Sequence, residues 1–545
     1  MNDKYTTNFP FYAWVPRPLG ILILLFMFVP PTFSGGAYLS NIGEMSGGLG
    51  LWTEDVQLAS FFSSIGMCLF PPFMVRFLKA RKVKQTYLVS FLLLIILNGI
   101  CYCVESLPVL CAACLLTGFV RVIVMLNCTF TIAPYLTGMD TISMFTMKEE
   151  PSPEVQYVLE RKRTFLMPVL YFFILMISQL SNFVTAWFAY HYHWQDAYTA
   201  VICMLLVAMI LVFITMREEK KKFDYKIEWE KGTEMLLMAF FLCCMTFVLV
   251  YGKTMNWLDS DMVCIAFAAM LFSGAAILFL SCRKGEKSYF PLGVFGYRNV
   301  ALSMLLFLLT MVFNSANNFV ATFLKLSTSV NNLHVASLGI WAIVGCLSGL
   351  LISLIMIVYK VRFRTLFCVA FLLMAASNVY LYFQYQTVGL FQNMWLPVVL
   401  NFSGLLMLYS VVAAWGMKGL PSRYLATFVF LMIWMRNAIA PVVGASVYTN
   451  ALNYKQQYYV TRLVQNVDSE NDLASKNFSQ TARKGRAMGK GYVEAEQLAS
   501  MSLKGKVSVQ ATLVAMKDIT GTTIVCLLLT SILVFFLPYR KNETT

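Results

Sequence analysis

Pro108-Val-Leu-Cys-Ala-Ala-Cys-Leu-Leu-Thr-Gly-Phe-Val-Arg121-Val-Ile-Val-Met-Leu-Asn-Cys-Thr-Phe-Thr131 carries a single charged residue. As a helix rising 1.5 Å per residue it is ~36 Å long, and the hydrocarbon core of a bilayer is ~30 Å thick. No water meets the backbone there, so a crossing chain satisfies its own N–H and C=O groups as a helix or in a closed barrel. Similar runs, bounded by charge, Pro or Gly, fall at 18 to 40, 56 to 75, 86 to 104, 164 to 190, 196 to 216, 234 to 251 and 261 to 281. Others fall at 299 to 322, 335 to 359, 365 to 384, 395 to 416, 424 to 449 and 519 to 538. With 108 to 131 they make fourteen candidate spans of helical length.

Composition agrees. The 545 residues are 59% hydrophobic and 13% charged, with a mean hydropathy of +0.68. Soluble domains are about 45–50% apolar and about 25% charged. A soluble enzyme, a disordered chain and a collagen-like fibre are therefore excluded, and the lipid bilayer is the first partner. The net charge of +15 does not point to nucleic acid, because the basic residues are scattered over short segments between apolar runs. The 14 Cys lie nearly all inside those runs, and Cys111-Ala-Ala-Cys114, with no His or Asp nearby, reads as packing rather than a metal or redox pair. No metal site and no cofactor are predicted. Met1 to Tyr12 lacks the n-region and cleavage site of a secretory leader, so the first run is expected to remain as a helix.

Orientation follows from Lys and Arg. Most of the 42 fall in alternate connections: Lys4 and Arg17, Arg76 to Lys84, Lys148 to Arg163, Arg217 to Lys231, Arg283 to Arg298, Lys360 to Arg364, Lys418 and Arg423, and Arg540 and Lys541. The short connections on the other side hold Lys253 and Lys325, and ten more basic residues lie between Lys455 and Lys517 in a segment long enough to escape the charge rule. This places both termini on the cytoplasmic side of an inner (cytoplasmic) membrane. Three units are expected: residues 1–216 as an N-terminal six-helix bundle, 217–298 as an inserted helix pair with its flanking cytoplasmic segments, and 299–545 as a C-terminal six-helix bundle. The last includes the outside loop 451–516, expected to hold an amphipathic helix or hairpin.

Four stretches give a family resemblance: Arg436-Asn-Ala-Ile-Ala-Pro-Val-Val-Gly444-Ala-Ser-Val447, Asn256-Trp257-Leu-Asp259-Ser260, Phe290-Pro291-Leu-Gly-Val-Phe295-Gly-Tyr-Arg298-Asn299 and His193-Trp194-Gln195. In order and spacing the chain resembles the fourteen-helix drug:proton antiporter branch, the EmrB and QacA type, of the major facilitator superfamily. The resemblance implies an all-α integral membrane protein of two six-helix bundles plus an inserted helix pair. It also implies export of amphipathic small molecules by proton antiport and, in a cell with two membranes, a periplasmic adaptor and an outer-membrane channel as partners. Departures are plain. Arg76 stands where the family has an aspartate, Pro30-Pro31 where a proton-carrying acid is expected, and Cys114 where an arginine is usual, with Arg121 two turns on.

Arg121 is the sharpest single signal. A guanidinium at the centre of a spanning helix costs at least ~2.5–3.5 kcal/mol, so such residues face a bundle interior or a wet cavity. It is read as a substrate or cavity residue, snorkelling toward water being the plainer alternative. Arg436 is read the same way or as a structural arginine bonding carbonyls. Gln179, Asn182, Asn314, Asn317, Asn318, Asn401 and Tyr38 complete the cavity candidates; Asn314, Asn317 and Asn318, at i, i+3 and i+4, share one face. Proton-coupling candidates are Glu54, Asp55 and Asp196, all at helix starts, where a solvated capping acid is the bland reading. Arg76, Trp194 and Gly444 are gating or structural positions. Lys484-Gly485-Arg-Ala-Met-Gly489-Lys490-Gly491 lacks the spacing and Ser/Thr of a phosphate loop, so an ATP-driven pump is dismissed. Binding and rocking, not bond-making, is the expected chemistry, with a non-transporting scaffold or receptor and an importer of an organic anion as the other readings.

Overall fold

The computed structural model describes residues 10–137, 153–218, 229–328, 330–387, 389–465, 467 and 471–536. The basic residues Lys4, Lys148, Lys220, Lys226, Arg540 and Lys541, and with them both termini, lie outside the described residues. The described chain is helical throughout, apart from an isolated antiparallel bridge between Phe11 and Met216. Among the described residues, thirteen helices are long and apolar enough to cross a membrane, and a shorter apolar one precedes them. In chain order they are α1 (Arg17–Phe33), α2 (Thr53–Ala80), α3 (Val83–Cys103), α4 (Leu107–Ala133), α5 (Glu160–His191), α6 (Asp196–Thr215), α7 (Lys231–Tyr251), α8 (Asp261–Lys287), α9 (Arg298–Ser327), α10 (Asn332–Val358), α11 (Phe363–Gln384), α12 (Phe391–Met417), α13 (Tyr424–Val464) and α14 (Tyr492–Phe536). The protein is a multi-pass membrane protein.

The first span differs most from the expected 18 to 40. It breaks at Phe28, resumes as Val29–Phe33 and stops. Pro30 and Pro31 each lack an N–H, and Gly35 and Gly36 follow within a turn, so the ladder cannot continue. A separate helix, Ile42–Leu49, then leads into α2. Residues 451–516, expected as an outside loop, are mostly helix where described: α13 runs on to Val464, Asp472–Ala487 forms a helix of its own, and α14 starts at Tyr492. Asn471 caps the middle helix, its side-chain oxygen accepting from the N–H groups of Leu473 (3.1 Å) and Ala474 (3.3 Å). The Lys455 ammonium lies 2.8 Å from the Asp518 carboxylate and ties α13 to α14.

Glycine decides how closely the main helices approach. A Cβ on Gly66 of α2 would run into the Leu115 carbonyl oxygen of α4, and one on Gly118 of α4 into the Ser63 carbonyl oxygen of α2. The same device joins α10 to α12, where Gly345 and Gly349 face the backbone of Val399 and Ser403. Between Phe11 and Arg217, α2 packs on α4 and α3 on α6; between Arg298 and Phe536, α10 packs on α12 and α11 on α14. The helices α7 and α8 pack on one another and sit beside α2. Glu234 of α7 binds the Lys284 ammonium at 2.8 Å and accepts from the Tyr289 N–H at 2.6 Å, which anchors the connection after α8. In that connection, burial pushes the Tyr289 phenol well above its ordinary value, and its hydroxyl donates to the Leu69 carbonyl at 2.8 Å.

Candidate functional site

A cavity of about 420 Å³ lies between α2, α4 and α5 on one side and α9, α12 and α13 on the other. Its apolar wall comes from Met67, Met125, Leu170, Ile174, Met432 and Ile433, and its aromatic wall from Tyr171 and Tyr409. Arg121 and Arg436 both face it, whereas Lys162 and Arg163 line it toward one end. Lys162 is exposed, so the cavity opens at that end of the bundle. Among the described residues, no carboxylate lines it.

The two deep arginines are held differently. The Arg121 Nε is buried and has no hydrogen-bond partner among the described residues. The Arg436 Nε donates to the Asn437 side-chain oxygen at 3.0 Å, and its guanidinium lies 5.5 Å from the centre of the Tyr171 ring, a cation–π contact. The two charges repel one another across the cavity. Desolvated cations gathered without a fixed anion are expensive, and a bound anion is the simplest relief.

Arg436 sits on a π-turn, Met435–Ile439, inside α13. The cause is local: Pro441 has no N–H to offer the carbonyl four residues back, so the ladder shifts by one residue there. The turn re-aims Arg436 and Asn437, and both line the cavity.

The other candidates lie elsewhere. The Asn401 amide donates to the Asn314 side-chain oxygen at 2.9 Å, a bond between α12 and α9. Residues Ser315–Asn317 form a 3-10 turn, which at 3.0 residues per turn rotates the following side chains off the face a regular helix gives them. Asn318 therefore lines a separate cavity of about 220 Å³ with Lys253, Thr322, Tyr448, Thr449 and Gln456, and the Asn317 oxygen is buried without a partner among the described residues. Gln179 packs against Gly339 of α10. Asn182 is exposed. Tyr38 is buried and donates to the Phe33 carbonyl at 2.8 Å. None of these seven lines the large cavity.

The acids sit at helix starts. Asp55 accepts from the Trp52 N–H at 2.9 Å, capping α2, and from the Tyr251 hydroxyl of α7. Glu54 accepts from the Thr53 hydroxyl at 2.9 Å, and Asp196 from the His193 N–H at 3.0 Å. Arg76 is exposed near the end of α2; the buried arginine of that region is Arg81, which donates to the side chains of Asn127 and Thr131 of α4. Trp194 is buried against Gly48, and Gly444 lets α13 meet Ser315 of α9. Sequence reasoning passed over Glu44, which accepts from the Asn332 amide at 2.6 Å and joins the segment before α2 to the start of α10. Alongside it, the Asn41 amide donates to the Thr185 carbonyl at 3.0 Å. These bonds close the end of the bundle opposite Lys162. No cluster of His, Cys, Asp or Glu suited to a metal exists among the described residues.

Solved structures give the fold its class. A POT peptide transporter mutant in complex with alafosfalin superposes with a TM-score of 0.52 at 13% identity, over 96% of this chain and 96% of that one. This is a major facilitator-type fold. A POT peptide transporter in complex with sulfate is similar at a TM-score of 0.51 and 13% identity, over 96% of this chain and 99% of that one. A structure described under substrate recognition in proton dependent oligopeptide transporters reaches 0.51 at 11% identity, over 94% and 97%. No family model matches the chain, and no curated protein matches its sequence.

Proposed function

We propose that the protein is a secondary active transporter that moves amphipathic organic anions across the cytoplasmic membrane by alternating access. The observation that carries this reading is the pair Arg121 and Arg436, one from each side of the cavity, with no carboxylate beside them among the described residues. An anionic group between the guanidiniums replaces their mutual repulsion with two charge-assisted bonds, while Tyr171, Tyr409 and the methionines accept the apolar body. The drug:proton antiporter resemblance supplies the expectation of an amphipathic substrate and of export. A lipophilic cation, however, would meet two positive charges and no negative one.

In this reading residues 1–216 and 299–545 rock as two bundles about the cavity, and the 217–298 pair flanks them. The recurring glycine seams, α2 on α4 and α10 on α12, support two similar halves. The end that carries Lys162 and Lys418 is cytoplasmic by the charge rule, so the cavity faces inward, ready to load a substrate for export. Protons are the coupling ion we assign. Because no acid lines the cavity, coupling falls to carboxylates at the closed end, Glu54, Asp55 and Asp196, where an outward-open state would expose them. Import is the second reading, favoured by fold neighbours described as proton-dependent oligopeptide transporters.

The test is counterflow in proteoliposomes with a radiolabelled aromatic sulfonate and, in parallel, a lipophilic quaternary ammonium. Saturable exchange of the sulfonate, lost in Arg121→Ala and Arg436→Ala, is expected. Exchange of the ammonium alone would overturn the anion reading. A protonophore and an imposed pH gradient of either sign then fix the direction.

A further inference from the structure

A second, smaller cavity runs from the large one toward the membrane. It lies between α1, α4 and α5, and Phe28, Thr129, Ala133, Leu166, Leu170 and Ile174 belong to both cavities. Its remaining lining, which includes Leu25, Ile132, Val169 and Phe173, is apolar. Its one hydroxyl, that of Thr129, donates to the Met125 carbonyl of its own helix at 2.9 Å and offers a ligand nothing that prefers water. These four side chains are only partly buried, and on the same short helix Leu22 is 63% exposed. The groove therefore ends on the surface that faces acyl chains. The break of α1 at Phe28 lies at the junction of the two cavities.

We infer that the transported anion carries a single flexible hydrocarbon chain, which lies in the α1/α4/α5 groove while the anionic head sits between Arg121 and Arg436. This rests on the anion reading above and deepens it. The large cavity alone suits a compact amphiphile; the groove adds a narrow, uncharged extension reaching the bilayer, which only a chain can occupy. Charge complementarity fixes the polarity of the occupant, head toward the guanidiniums and tail toward lipid. The substrate then enters sideways from the membrane leaflet on the Lys162 side, where a single-chain amphiphile concentrates, as well as from water.

The experiment uses the full chain in lipid nanodiscs, with radiolabelled benzenesulfonate as reporter and linear alkanesulfonates from ethane- to decanesulfonate, below their micelle concentrations, as competitors. Val169→Trp and Ile132→Trp fill the groove from two different helices. Val89→Trp, in another lipid-facing groove lined by Leu92 and Phe213, is the control. Partition into lipid raises the apparent potency of long chains in every variant and cancels in the ratio to wild type. Ethanesulfonate is expected to compete within twofold of wild type in all three variants. Decanesulfonate is expected to weaken at least tenfold in Val169→Trp and Ile132→Trp, and not in Val89→Trp. Unchanged benzenesulfonate affinity shows that the variants fold. A ratio that stays flat with chain length, while benzenesulfonate still binds through Arg121, overturns the chain-in-groove assignment and leaves the anion reading standing. If wild type binds no sulfonate, the anion reading fails and takes this inference with it.

Discussion

The open and closed ends of the helix bundle treat charge in different ways. At the closed end several acids take fixed hydrogen bonds: Glu44 accepts from Asn332 through one of its oxygens, Asp55 from Trp52 and Tyr251, and Asp196 from His193. The two deep arginines of the cavity have no carboxylate partner among the described residues. There the Arg121 Nε is buried without a partner, and Arg436 leans on an amide oxygen and a ring face. Fixed acids locked into helix caps hold a shape, whereas cations left uncompensated in a low-dielectric space wait for a ligand. The contrast teaches where stability and function part company in this chain.

The sharpest way to break that comparison is to remove a cavity charge. Truncating one member of a buried charge pair costs about 2–5 kcal/mol of binding, which is roughly 30- to several thousand-fold, so Arg121→Ala and Arg436→Ala should each reduce sulfonate exchange at least about thirtyfold. Arg436→Lys should recover only part of it, because an ammonium lacks the planar fork. The unliganded protein should respond in the opposite direction. Arg121→Leu removes a desolvated, repelled cation, so its thermal unfolding temperature without substrate should rise above wild type. A fall in both quantities would mean that Arg121 is a structural residue whose partner forms in the resting protein.

Next in size is the π-turn. Pro441→Ala gives the carbonyl of residue 437 a donor again, and the regular ladder can re-form through Met435–Ile439. Arg436 would then rotate away from the cavity. We expect exchange to drop about tenfold, with the helix no less stable, since replacing a mid-helix proline removes a penalty of about 3 kcal/mol. Wild-type exchange in Pro441→Ala would show that Arg436 reaches the ligand without the bulge.

The fold was legible in the sequence because the bilayer imposes one rule on every span. Length and apolarity alone placed α2 to α12 within a few residues. The breaks were harder. Pro30-Pro31 was visible, yet the path of the chain after α1 depends also on Gly36, whose positive φ brings the backbone close against Cys114 of α4. The continuation of α13 and α14 beyond the apolar runs comes from the Lys455 to Asp518 pair and the packing of Gly485 against Ala495, contacts distant in sequence. At the site, Arg121 and Arg436 stood out since charge in an apolar run needs a reason. Tyr171, Tyr409 and the methionines gave no signal, being ordinary occupants of a spanning helix. The asparagines depart from the spacing of a regular helix for a definite reason: the turn at Ser315–Asn317 is tighter, and Asn318 faces another cavity.

A smaller effect is expected at the closed end. Asn332→Ala removes the amide that bonds Glu44 and should loosen the contact between the segment before α2 and α10. A neutral hydrogen bond is worth about 0.5–1.5 kcal/mol, more when one partner is charged. The outward-open population should therefore rise about three- to tenfold, read as faster labelling of a cysteine introduced at Ser40 in an otherwise unreactive background. Unchanged labelling would move the outer gate away from Glu44.

The smallest expected effect discriminates most finely between the two ends. Guanidinium groups keep their proton throughout the physiological range, and a sulfonate keeps its charge as well. If Arg121 and Arg436 alone hold the anionic head, equilibrium binding of benzenesulfonate should change by less than twofold between pH 5 and pH 8. Transport driven by a pH gradient should still depend on pH if, as proposed, Glu54, Asp55 and Asp196 at the other end carry the coupling. Binding that strengthens steeply as pH falls would mean that a carboxylate must be neutralised before the anion enters. The acids would then belong to the site itself, and the separation of charge between the two ends would no longer describe how the protein works.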